Sequence, residues 1–412
     1  MGDAARLAAE RVARDSYGRL VAFLAARTRD VAGAEDALAE AFASALKSWP
    51  TDGVPDNPDA WLLTVARRRQ TDAVRRRQTR TAGEVHIQLM TEEIEDAASN
   101  PQAIPDRRLA LMFACAHPDI EAGMRAPLIL QTILGLTAID IAAAFLIPPA
   151  TMGQRLVRAK ARIKEAGIPF AVPEREDLAD RLDAVLEAIY AAYAKGWTEI
   201  GDTAADRLAD EAIWLGRLVV SLLPDEAEAK GMLALMLYAE ARRPARRNAE
   251  GAYVPLEAQD VELWDEPQIL SAEALLRSAN ATPGPTGRYQ IEAAIQSAHV
   301  ARRVTGRANW EAVVALYDVL LKLTHSPVAL LNRVAALAET EGAEAALASL
   351  DAIATDKRMA DYQPYWATRG HLCVRAGRKA EAHEALTLAI GLSTDEAVRH
   401  YLVGQRTRLQ DG

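Results

Sequence analysis

Between residues 67 and 77 the chain reads RRRQTDAVRRR, two arginine triplets that begin eight residues apart. Guanidinium groups stay charged at physiological pH and donate paired hydrogen bonds to phosphate oxygens, so the chemistry indicated is the holding of an anionic polymer. On a helix rising ~1.5 Å per residue the triplets stand ~12 Å apart, far enough to engage more than one phosphate. A second cationic set, Arg155, Arg158 and Arg162, runs through TMGQRLVRAKARIK (151–164), where Thr151 and Gln154 add side chains able to reach base edges. A third set is acidic. AEDALAEAF (34–42) carries Glu35, Asp36 and Glu40 beside Leu38 and Phe42, a carboxylate face that either docks a basic protein surface or stays in solvent.

Covalent chemistry is not indicated. The sequence has no glycine-rich phosphate loop, no metal-ligand cluster and no nucleophile motif, and its 7 histidines are scattered. Cys115 and His117 are close in ACAHP, but two ligands do not make a zinc site. We expect neither enzymatic activity nor a cofactor nor a metal.

The elements that must position these residues are helices. Ala, Leu, Arg and Glu dominate the 412 residues, and alternating β-branched runs are nearly absent, which predicts an all-α protein. Two helices are expected over 5–49 with a break near 29–33, a turn-rich loop at 51–59, and a helix over 58–80. Residues 81–106 lose periodicity, turn acidic and read as a linker; 107–166 form a second helical block closed by Gly167 and Pro169. A third block runs from about residue 174 to the end, interrupted at 241–260 and 280–287. Residues 1–166 hold 22 Lys/Arg against 21 Asp/Glu, and 167–412 hold 26 against 36, so the formal charge of −9 resides in the second part. An anionic partner is therefore indicated locally. No segment approaches the ~18 apolar residues of a membrane span, and the two cysteines cannot build a disulfide framework. A cytoplasmic protein without membrane contact is expected.

At 100° per residue, Met152, Leu156, Ala159 and Ile163 share one face of the second helix in the block 137–164, while Thr151, Arg155, Arg158 and Arg162 share a neighbouring strip. Ahead of it a short helix with Ile139, Ile141, Ala142 and Phe145 on or near its buried side meets Pro148 and Pro149, residues tolerated where a helix begins. One face packs and another is cationic, as in a DNA-binding helix-turn-helix; an ordinary helical hairpin with a solvated basic face has the same pattern. The arginines at 67–77 segregate less well, because the triplets encircle the helix. Trp61, Leu62 and Val65 supply its apolar anchor.

Taken together, AEDALAEAF, WLLTVARRRQTDAVRRR and ATMGQRLVRAKARI resemble regions 2 and 4 of extracytoplasmic-function sigma factors, members of the sigma-70 family of bacterial RNA polymerase. The resemblance implies that Glu35, Asp36 and Glu40 bind core RNA polymerase at the β′ clamp helices, although Ala39 stands where that family usually has Gln. It implies that Asn57, Trp61, Arg67, Arg68, Arg75 and Arg76 lie at the promoter −10 element. Thr151, Gln154, Arg155, Arg158 and Arg162 would lie at the −35 element. On this resemblance 1–80 is region 2, 81–106 the linker and 107–168 region 4. Without it, the residues also allow a regulator that binds duplex DNA alone, or a helical scaffold.

LALMFACAHPDI (109–120) further resembles the subgroup with a long tetratricopeptide-like C-terminal extension, here 174–412. In that part Trp366, Gly370 and Cys373, then Ala382, Leu386 and Ala389, match the large and small positions of a repeat's two helices. The second-helix signature recurs as Ala312, Leu316, Val319 and as Ala346, Leu350, Ile353, close to the ~34-residue period. Such an array offers a surface for a protein or peptide partner, and we expect it to modulate the N-terminal part in cis.

Overall fold

Arg29 adopts a left-handed backbone (φ 54°) and ends the first helix, α1 (Gly2–Thr28); Asp30 then accepts a hydrogen bond from the Gly33 amide and starts α2 (Val31–Asp52). The break expected near 29–33 is thus a turn with its own cap. The computed structural model describes residues 2–77, 107–145, 147–198, 203–352 and 356–411. Among them every regular element is helical, and one isolated bridge joins Arg247 to Tyr253. The linker expected at 81–106 lies outside the described residues.

The chain divides into two units, 1–192 and 193–412. In the first, α1, α2 and α3 (Pro58–Arg77) pack together and bury Leu20, Val21 and Leu24 of α1, Leu38 and Trp49 of α2, and Leu62, Leu63 and Ala66 of α3. Then come α4 (Arg108–Cys115), α5 (Ala122–Leu134), α6 (Ala138–Ala144), α7 (Pro149–Glu165) and α8 (Arg175–Thr198), whose residues from 193 on belong to the second unit. Helix α1 also packs on α4 and α5, so the segments expected as separate modules share one unit. The crossing of α1 with α5 is close. A Cβ at Gly18 would stand 1.9 Å from the Ile133 carbonyl oxygen, so only glycine permits it. Cys115 is fully buried beside Thr132, and burial pushes its thiol up to about 12, which makes it a packing residue.

Thr137 and Asp140 form a reciprocal capping box that starts α6, and Pro149 occupies the first turn of α7. Ile141 and Ala142 are buried as expected, whereas Ile139 is 69% exposed. Two residues along a helix turn the chain by about 200°, so so short a helix cannot bury both isoleucines on one neighbour.

The second unit stacks helical hairpins. After α9 (Thr203–Leu222), α10 (Ala227–Ala241) pairs with α11 (Glu266–Ala281), and α12 (Arg288–Val300) with α13 (Trp310–Thr324). The pairs α14 (Pro327–Thr340) with α15 (Ala343–Asp351), and α16 (Gln363–Arg375) with α17 (Lys379–Leu392), follow before α18 (Glu396–Asp411). Each pair also packs on the next. Gly370 is where α16 meets α17: a Cβ there would lie 2.8 Å from the Leu386 side chain, which would have to shift, so the crossing favours a small residue. Ala346 and Leu350, and Ala382, Leu386 and Ala389, are buried as the repeat pattern predicts; Ile353 lies outside the described residues. On α13 the pattern slips. Val313, Tyr317 and Leu320 are buried, one residue after the expected Ala312, Leu316 and Val319, and Val319 is 42% exposed.

Candidate nucleic-acid interface

Helix α7 has three faces. Met152, Leu156, Ala159 and Ile163 are buried, fixing the helix against its neighbours α5 and α6. Next to that face run Thr151 and Arg155, both half-buried, and Arg158 and Arg162, both exposed, with Gln154 also exposed. Arg155, Arg158 and Arg162 border a cleft of about 190 Å³ whose other wall carries Asp119, Glu121 and Met124. Arg162 Nη2 stands 3.4 Å from an Asp119 carboxylate oxygen, a solvated pair that a phosphate can displace. The strip therefore offers cations to an anion with only weak internal competition.

The third face was not singled out by sequence. Lys160 and Lys164 lie about 180° around α7 from the arginine strip. Lys160 Nζ is 2.5 Å from Glu35 Oε2 of α2, and Lys164 pairs with Asp30. The available signal was their spacing of four on a strip away from the arginines, but it names no partner.

On α3 the expected residues separate into different roles. Asn57 accepts a hydrogen bond from the Ala60 amide and caps the helix, and Trp61 meets Trp49 edge-on at 5.5 Å. Asp59 anchors the same end through Arg19 at 2.5 Å and the Ser16 hydroxyl at 2.9 Å. Arg67 corrects the expectation that it faces DNA. It is 5% exposed, with its guanidinium 5.0 Å from the Phe23 ring centroid, because its position in the triplet falls on the packed side of the helix. Arg68 and Arg69 are exposed, and Arg69 reaches Glu40 at 3.3 Å. Arg75 and Arg76 stand on the last turn of α3, with side chains outside the described residues.

The acidic face of α2 is likewise divided. Asp36 and Glu40 are exposed, whereas Glu35 is half-buried. Burial raises the Glu35 carboxyl above its usual range, and Lys160 opposes that rise. Glu35 is engaged inside the unit and does not share the solvent face of Asp36 and Glu40.

Among the described residues no group of His, Cys, Asp and Glu is arranged to hold a metal, and no helix is long and apolar enough to cross a membrane.

Two family profiles match the chain. Sigma-70 region 2 covers residues 13–80, the α1–α3 bundle, and a family of unknown function, DUF6596, covers 181–280. A protein of Rhizobium meliloti (strain 1021), called uncharacterized protein R00370, is 39% identical over 384 residues, which is 90% of this chain and 88% of that one. No solved structure matches. The chain belongs to one family with the Rhizobium protein, and its residues 13–80 carry a sigma-70 region 2 domain, which supports a sigma-70 family sigma factor.

Proposed function

We propose that the chain is a sigma factor of the extracytoplasmic-function type, which binds core RNA polymerase and directs it to promoters. The observation that carries this reading is the region 2 match on a bundle whose solvent face presents Asp36 and Glu40 on α2 and Arg68 on α3. The carboxylates suit a basic polymerase surface, and the exposed arginine suits the phosphates of promoter DNA at the −10 element. Helix α7 supports a helix-turn-helix reading of 107–168, with Gln154 and Arg158 exposed toward the −35 element and Arg155 and Arg162 beside them. On this reading the chain is not an enzyme. Polymerase supplies the catalysis, and the place of action is the cytoplasm.

The hairpin array of the second unit is proposed as a tetratricopeptide-like modulator. Its support is the small residue at the α16–α17 crossing and the recurring burial of Ala346 and Ala382. Titrating fluorescent core polymerase with the full chain and with Asp36→Lys/Glu40→Lys tests the reading. Binding that the double substitution weakens at least tenfold supports it; equal binding by both forms removes α2 from the contact.

A further inference from the structure

The ties within unit 1 fall on the helix that region 2 would offer to polymerase. Lys160 and Glu35 form the most sheltered of them, with 12% and 17% of their side chains exposed. Lys164 takes Asp30, the residue that caps α2, and Arg29 Nη1 donates to the Gly167 carbonyl at 2.8 Å. Three cations thus join the α1–α2 turn and the first turn of α2 to the C-terminal end of α7 and Gly167. Beneath them Gly18 lies against the Ile133 carbonyl, and Tyr17 borders Gly135, where a Cβ would stand 3.5 Å from its ring.

This docking is not fully satisfied. Among the described residues the buried Glu35 Oε1 has no hydrogen-bond partner, so the carboxylate has lost water on one oxygen and gained a lysine on the other. A partner able to hold α2 in solvent or against several donors competes well with that arrangement. The arginine strip of α7 faces the opposite way, so docking occupies Asp30 and Glu35 and leaves Arg158 and Arg162 exposed.

We propose that the docking of α7 on α2 is an autoinhibitory latch, in which Lys160 and Lys164 occupy the N-terminal carboxylates of α2 until a basic polymerase surface displaces them. The inference rests on the sigma-factor reading. In the latched form Asp36 and Glu40 are exposed but the helix that carries them is tied to α7, and opening frees the two modules to bind separately.

The test uses the full chain with dyes on Asp52→Cys and Ala161→Cys, both at exposed positions, the native thiols being buried. Lys160→Glu/Lys164→Glu repels the acidic helix, and Gly18→Ala wedges α1 from α5 by an independent route. Each variant is expected to widen the dye separation and, without dyes, to raise affinity for core polymerase about tenfold. Widening with unchanged or weaker core affinity, or no widening in either variant, overturns the latch alone. Absence of core binding by every form, opened or not, overturns the sigma reading as well.

Discussion

RRRQTDAVRRR in the first unit and ARRPARR (241–247) in the second are similar in charge density and opposite in use. In the second, Arg242 is 8% exposed and donates to Gln296, and Arg243 pairs with Glu240 at 2.6 Å. Arg246 stacks 4.0 Å from the Trp197 ring centroid, and Arg247 reaches Asp395 at 2.5 Å. Burial lowers both Arg242 and Arg246 to about 10. That cluster is framework: it fastens the segment after α10 to Trp197 and to the start of α18. In the first unit Arg68 and Arg69 are exposed, and among the described side chains of the two triplets Arg67 is the one that behaves like the buried set. Density of arginine therefore does not define a nucleic-acid face; the charge left in solvent does.

Removing a framework arginine is the strongest way to break this contrast. Arg242→Ala leaves Gln296 without its donor and a void beside Tyr238, and is expected to cost about 3 kcal/mol, read from urea unfolding of the full chain. A loss below about 1 kcal/mol would place Arg242 with the solvated group.

Acid probes the same buried cations. His299 is held down to about 4 by burial first, then by Arg242 and Arg302, with Trp310 edge-on at 5.5 Å. The unfolded chain binds a proton near pH 6.5 and the folded chain does not, so stability is full above that pH and falls as pH drops toward 4. The loss approaches about 3 kcal/mol. His299→Gln should flatten this slope in unfolding experiments between pH 7 and 4, and a slope unchanged by the substitution would reassign the effect.

Within the first cluster the contrast sharpens to neighbours. Arg67→Ala should lose about 1–2 kcal/mol by removing packing on Phe23, while Arg68→Ala should stay within about 0.5 kcal/mol. Thermal unfolding of the two variants decides this; equal losses would erase the distinction. Smallest in stability is Arg158→Ala, again within about 0.5 kcal/mol. Its effect belongs to DNA: weaker binding of promoter duplex, and a salt dependence shallower by about one phosphate contact, measured by fluorescence anisotropy over a salt series.

How much of this was legible in sequence follows from periodicity. Helix α7 was readable because Met152, Leu156, Ala159 and Ile163 recur every three or four residues and leave the arginines on their own strip. Helix α3 was not, since a triplet of like residues points in every direction and periodicity cannot say which arginine turns inward. Helix α13 misled for another reason. Both Ala312, Leu316, Val319 and Val313, Tyr317, Leu320 are apolar at helical spacing, and the small-residue rule chose the set that the fold buries less, with Ala312 and Leu316 half-buried and Val319 exposed. The docking of α7 on α2 depends on residues 125 positions apart and has no local signal. Gly18 carried a faint one, because glycine inside a helix is unfavourable unless a neighbour must approach.

The most direct measurement is run-off transcription with purified core polymerase lacking a specificity subunit, on genomic fragments, with and without the full chain. RNA starting at defined positions only when the chain is present is the predicted result. Core polymerase that gains no defined start, while the chain alone still shifts duplex DNA, would contradict the account.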